Sequence, residues 1–327
     1  MDNKIRKLLS SWSQVDFGAV NLSREEKAFC RELNREMLLL CEYLPKSMRT
    51  NAALFLVRYL QASFSDGLRF VNYFYAPAWS ILFWLHQSCP GRRRLDPKCL
   101  KDAKIGHIVA MFLHALDDHL TDGQLPVTHL SLLMRSQFWM IMNQAYRRLA
   151  KGVEKGAAIV RGFIEDYYSS IGKYNETESM DHYCKSFTKQ MGTSLIVPIL
   201  LARRLRADEE YSDSIQSAYS SFGIAWRLLD DLQDIENDMM KGVHSSIYVC
   251  LNDDLRGWWD KTSEEKTNHN NDYVQSILSY VLEERVMDRI RERVCRELQS
   301  AASTADSCSM PGFARELRCL LKPLRNG

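Results

Sequence analysis

The sequence predicts an all-α protein, a single bundle of about ten helices spanning residues 1–327 as one domain. Three observations carry this. Apolar residues recur three and four apart over long windows, as in Ile108, Met111, Phe112, Ala115 and Leu116, and short alternating runs bounded by turn residues are missing. Only 15 Gly and 8 Pro punctuate 327 residues. With 46% hydrophobic residues, the chain has enough apolar material for one large core.

Periodicity places helices at 23–43, 48–66, 68–88, 98–119, 128–151, 155–172, 179–206, 208–240, 272–300 and 310–322. The breaks fall in turn chemistry: CPGRRRLDP at 89–97, DGQLP at 122–126, KYNETES at 173–179, TSEEKTNHNN at 262–271 and ASTADSCSMPG at 302–312. None is long enough for a domain linker, and no internal repeat is visible. The uncharged stretch from Phe70 to Gly91 has the length of a membrane span, but Asn72, Pro77, His86 and Gln87 interrupt it, so it reads as a buried core helix. Peripheral membrane contact stays open.

A net charge of +2, from 43 basic and 41 acidic residues, provides no overall field for nucleic acid. Nine scattered cysteines without a CxxC pair argue against a disulfide framework and a zinc site. The N-terminal MDNKIRKLLSSWSQ lacks the apolar run of a secretion signal. A reducing, cytoplasmic setting is expected.

Two acidic clusters stand out. GHIVAMFLHALDDHLTDG drives an apolar helix into Asp117, Asp118 and Asp122 before Gly123. A helix C-terminus already disfavours anions, so three acids there repel one another unless a cation intervenes. Alone, such a cluster is equally an acidic helix end in solvent. The second segment, SFGIAWRLLDDLQDIENDMMKG, repeats the arrangement: Asp230, Asp234 and Asp238 form a four-spaced stripe with Asp231 beside it, and no Lys or Arg lies between Leu228 and Met240. Two such ends facing each other across a bundle mouth would suit Mg²⁺, which takes one or two carboxylates plus phosphate oxygens.

These residues resemble the trans-prenyltransferases and class I terpene synthases of the isoprenoid synthase fold. LDDHLTD is similar to the family's first aspartate-rich motif with one extra spacer, WRLLDDLQD to the second, KSFTKQMGTSLIVPILLARRL to the Lys-Thr helix, and Lys241-Gly242 to the Lys that follows. The similarity covers about 100–245. It implies a bundle around a central apolar cavity, a homodimer, and ionisation of an allylic isoprenyl diphosphate with release of diphosphate. By this resemblance Asp117, Asp118 and Asp122 bind two magnesium ions, and Asp230, with Asp234 and Asp231, a third once diphosphate is bound. Asp117, Asp118 and Asp230 would be the catalytic set. Lys189 and Lys241 would contact diphosphate, with Lys185 an alternative to Lys189 and Arg227 a further contributor. Phe112, Phe187, Phe222 and Trp226, with Trp79, Phe83 and Trp84, would line the space for the cation.

The departures set the expected reaction. Elongating members carry Arg-Arg-Gly after the first motif and Gly-Lys-x-x-Arg near the N-terminus; here stand DGQLP and LPKSMR, with Lys46 and Arg49, and Arg227 replaces a Gln. A second diphosphate site is thus doubtful, which tilts the expectation toward a terpene synthase that cyclises or quenches its carbocation. Against that tilt, the Asn-Ser-Glu triad of terpene cyclases is absent. Chain elongation is the alternative, as is head-to-head condensation, which ENDMMKGVHSSIY resembles. A non-catalytic partner subunit has no physical reason to keep so many repelling aspartates.

Overall fold

The computed structural model describes residues 3–59, 74–88, 95–171, 179–206, 208–261 and 270–325. Among the described residues there are sixteen α-helices and no strand. They are α1 (Asn3–Ser13), α2 (Arg24–Leu39), α3 (Lys46–Tyr59), α4 (Pro77–Gln87), α5 (Pro97–Thr121), α6 (His129–Ala150), α7 (Gly156–Ile171) and α8 (Met180–Gln190). There follow α9 (Gly192–Arg206), α10 (Glu209–Gln233), α11 (Ile235–Lys241), α12 (Ser246–Cys250), α13 (Asp253–Trp259), α14 (Asn270–Glu283), α15 (Val286–Ser307) and α16 (Pro311–Leu320).

Ten expected helices become sixteen: α1 lies ahead of the first expected helix, and the other five have identifiable reasons. The segment 179–206 divides at Gly192, where α9 approaches α7 so closely that a Cβ would sit 2.5 Å from the Phe163 carbonyl oxygen. The segment 208–240 breaks at Asp234, and 272–300 breaks at Arg285, which adopts a left-handed φ of 52°. Helices α12 and α13 span 5 and 7 residues, too short for a periodic window to register. The turn arginines Arg92–Arg94, and most of KYNETES and TSEEKTNHNN, lie outside the described residues.

Side chains that satisfy orphan N–H groups set several helix starts. Ser23 and Glu26 form a reciprocal capping box on α2, Asp96 caps α5 ahead of Pro97, and Thr128 pairs with Ser131 on α6. Helix α10 packs chiefly on α15 and α9, while α5 packs on α6 and α9, so the two helices that end in acids are central elements. Around them Trp79, Tyr146, Tyr219, Phe112, Phe138, Phe222 and Phe313 are fully buried. Two polar side chains in this core share one acceptor: Tyr219 Oη and His107 Nε2 both donate to the Ala78 carbonyl, at 2.9 and 2.7 Å. None of the described helices is long and apolar enough to cross a membrane. The eight described cysteines are free thiols.

The last described helix is fastened to the first half of the chain by a buried acid. Glu316 accepts from Ser80 Oγ at 2.5 Å and Trp84 Nε1 at 2.6 Å, and shares a hydrogen bond with Glu26. Burial and that carboxyl–carboxyl contact push Glu316 up to about 8. Because the folded chain holds this proton more tightly than an unfolded one, the contribution is full below the ordinary glutamate pKa and fades as pH rises toward 8. Glu316→Gln should therefore flatten the pH dependence of unfolding free energy between pH 5 and 8 by roughly 1 kcal/mol per pH unit, read from denaturant melts across that range. Parallel wild-type and variant profiles would contradict the assignment.

Candidate active site

The C-terminal ends of α5 and α10 open onto one cavity of about 420 Å³. Its wall includes Ala115, Asp118, His114 and His119 from α5, Trp226, Arg227, Asp230 and Gln233 from α10, and Phe187 and Gln190 from α8, together with Phe74 and Tyr75. Charge gathers at the helix ends, and the rings of Phe74, Phe187 and Trp226 supply an aromatic side. Trp226 meets Phe74 edge-on at 5.3 Å, and Phe74 meets Trp79 edge-on at 5.4 Å. The space is therefore charged at one end and aromatic at the other.

The acids at the rim are destabilised as anions. Burial lifts Asp230 to about 6 against the pull of Arg227, with Asp231, Asp234 and Asp118 adding repulsion. Asp122 is raised by burial and by Asp118, and Asp234 by burial, Asp231 and Asp118. Lys241, at the end of α11, pulls both of them down. These mutual effects place Asp118 and Asp122 within electrostatic reach of the second cluster. Asp238, the last of the four-spaced stripe, is buried and pushed up to about 8 by burial and Asp231.

Two of the expected metal ligands are engaged elsewhere. Asp117 receives a two-pronged bond from Arg135 of α6, Nε to Oδ1 at 2.5 Å and Nη2 to Oδ2 at 2.9 Å. Asp231 is buried and accepts from Tyr183 Oη at 2.8 and 3.0 Å and from the Ser246 N–H at 2.9 Å, with Arg227 Nε 3.1 Å away. Neither is among the residues lining the cavity, because each sits about a quarter-turn from a neighbour that is. Phe112 and Phe222 also lie off the wall: Phe112 packs edge-on against Tyr59 and Phe138, and Phe222 meets Tyr219 at a tilt of 35°. Trp79 is core, Phe83 packs on Phe29, and Trp84 serves Glu316. Lys185 and Lys189 are exposed on α8 outside the lining, Lys189 adjoining Gln190.

Sequence reasoning did not single out Tyr183, Arg135, Tyr75 or Gln190. For Tyr183, Arg135 and Tyr75 the signal is weak because each owes its role to a partner 18 to 59 positions away, as in Arg135 with Asp117 and Tyr75 Oη with Asp16. Among the described residues, no three acidic, histidine or cysteine side chains converge as a ready-made metal cage. The donor chemistry still suits a hard divalent ion, since Mg²⁺ needs only one or two carboxylates when phosphate oxygens and water complete its shell.

No family model and no curated protein sequence matches the chain. Solved structures do. Geranylgeranyl pyrophosphate synthetase from the archaeon Geoglobus acetivorans superposes with a TM-score of 0.63 over 89% of this chain and 98% of its own, at 15% identity. Polyprenyl synthetase from Streptomyces coelicolor A3(2) gives 0.63 over 90% and 97%, at 14% identity. Farnesyl diphosphate synthase from T. brucei, complexed with minodronate, gives 0.56 over 91% and 97%, at 11% identity. The chain has the all-α isoprenoid synthase fold, matched over 89–91% of its length in these three comparisons.

The geometry separates rim carboxylates from structural ones by stability. Asp231→Asn should cost about 2–4 kcal/mol in denaturant unfolding, since it strips charge from a buried, multiply bonded carboxylate and leaves Arg227 uncompensated. Asp118→Asn and Asp234→Asn should fall within about 0.5 kcal/mol of wild type or above it, because they relieve repulsion at exposed positions. The reverse ranking would refute the division.

Proposed function

We propose that this chain is a metal-dependent isoprenoid synthase acting on an allylic isoprenyl diphosphate, of the prenyl diphosphate synthase type. The observation that carries the reading is the convergence of Asp118, Asp230 and Arg227 with Phe74, Phe187 and Trp226 on one cavity, in this fold. Ionising an allylic C–O bond separates charge: diphosphate leaves as an anion and a carbocation stays behind. A site for that reaction needs a charged end and an aromatic end, and the cavity has both.

Asp118, Asp122, Asp230 and Asp234 are the residues that would hold magnesium ions. Bound there with substrate, magnesium would neutralise charge building on the leaving diphosphate. Lys241 stands beside these acids and Arg227 within the wall, so both are placed to orient a diphosphate. Phe187 and Trp226 would shield the cation from water while offering their π-faces. Of the lysines on α8, we favour Lys189 over Lys185 for contact with diphosphate, because it flanks Gln190 on the wall.

Chain elongation is favoured by the structural neighbours, which are named as prenyl diphosphate synthases that make geranylgeranyl, polyprenyl and farnesyl products. A second reading, a terpene synthase that uses one diphosphate only, is supported by Arg49. Its guanidinium is committed to backbone carbonyls, Nε to Leu44 at 3.0 Å and Nη2 to Glu42 at 2.6 Å. That leaves fewer cations for a second diphosphate.

The test is incubation with geranyl, farnesyl and geranylgeranyl diphosphates, with and without isopentenyl diphosphate, in Mg²⁺ or EDTA, followed by mass spectrometry. A longer diphosphate that requires isopentenyl diphosphate is the expected product, lost in EDTA and reduced at least 100-fold in Asp230→Ala. A hydrocarbon or alcohol from one allylic diphosphate alone would select the second reading. Metal-independent turnover would overturn the proposal.

A further inference from the structure

The diphosphate end of the cavity contains a cation that is held in place from behind. Arg227 lines the cavity one turn before Asp230. Its Nε donates to Tyr183 Oη at 2.9 Å and lies 3.1 Å from Asp231 Oδ1. Tyr183 Oη in turn donates a hydrogen bond to Asp231, and the Ser246 N–H donates to the same carboxylate at 2.9 Å. Three elements, α8, α10 and the start of α12, thus converge on one edge of the guanidinium.

The other edge is different. Its nearest partner is Asp230, with Nη1 to Oδ2 at 3.4 Å, a long and weak contact. A guanidinium has five N–H donors in a rigid fork, so fixing Nε orients the remaining Nη groups. Arg227 lines the cavity together with Asp118 and Asp230, and the one Nη contact it makes there is the long one to Asp230. Tyr183 and Asp231 are buried behind them and do not line the space.

We propose that Arg227 is a built-in cation for the substrate's diphosphate, held in register by Tyr183 and Asp231 as positioning residues, and that it bears part of the charge otherwise neutralised by divalent metal. The proposal rests on the diphosphate reading above and adds a division of labour within it. Asp231 then serves the arginine rather than a metal ion. A merely structural Arg227–Asp231 pair would affect stability alone, whereas a diphosphate-binding cation sets how strongly anion binding depends on metal.

Titration calorimetry with inorganic diphosphate, in graded Mg²⁺ and in EDTA, distinguishes these cases. Wild type should bind with Mg²⁺ and retain weaker binding in EDTA. Arg227→Gln should reduce the EDTA-resistant affinity about tenfold or more, the scale of one lost charge-assisted hydrogen bond, and shift the Mg²⁺ midpoint upward. Arg227→Lys should recover part of it. Tyr183→Phe keeps the ring and the Arg227–Asp231 pair but unlocks the fork, so it should lower the same affinity a few-fold, and it tests the idea even if Arg227→Gln fails to fold. Equal EDTA affinity and an equal Mg²⁺ midpoint in wild type and the folded variants would overturn the role of Arg227 while leaving the functional reading intact. No diphosphate binding by wild type even in Mg²⁺ would remove that reading, and this proposal with it.

Discussion

The structure is organised around a repulsion. Two long helices, α5 and α10, end in aspartates at the same cavity, where the helix dipoles already oppose negative charge and burial strips away water. Nothing in either helix alone would bring such ends together. They are held by their flanks: α6 grips Asp117 through Arg135, while α8 and α12 grip Asp231 through Tyr183 and the Ser246 N–H. In each cluster one carboxylate is thus spent on anchoring, while its neighbours are offset only in part, by Arg227 and Lys241. The strain of the site and the means of bearing it are adjacent residues on the same helix.

That pairing explains what could be read from the sequence. The helical class follows from periodicity, and the two acidic ends from composition at helix termini, which are local properties. Asp118, Asp230, Arg227, Phe187 and Trp226 line the cavity. Adjacent aspartates differ by about 100° around a helix, and sequence alone does not say which of 117 and 118, or of 230 and 231, faces inward. The deciding partners are Arg135 and Tyr183, 18 and 48 positions away from the aspartates they bind. The same limit applies to Phe112 and Phe222. An aromatic ring on a helix near a motif is equally suited to wall or core, and close neighbours such as Phe138 and Tyr219 settle the matter.

Helix count shows a related limit. Gly192 ends one run because α7 lies against it, which is a tertiary cause with only a glycine to signal it. Asp234 interrupts another at the point where the second cluster must turn outward, and Gly242, with φ of 69°, stops α11 just after Lys241. The breaks in α10 and α11 have a functional sense. They let Asp230 and Asp234, at the end of α10, and Lys241, at the end of the short α11, belong to successive segments rather than to a single rod.

Residues 15–18 connect parts of the molecule that are distant in sequence. Gln233 Nε2, on the cavity wall, donates to the Val15 carbonyl at 2.6 Å; Asp16 accepts from Tyr75, another wall residue; Phe17 packs edge-on against the Tyr75 ring; and the Gly18 N–H donates to Leu320 in α16 at 3.0 Å. Four consecutive residues therefore act as a buckle joining the wall of the cavity to α16. A perturbation at residues 311–320, far from any aspartate of the rim, has a short mechanical route to Tyr75 and Gln233. Fusions or truncations there would be felt as a change in the shape of the cavity mouth, even where the helices themselves stay folded.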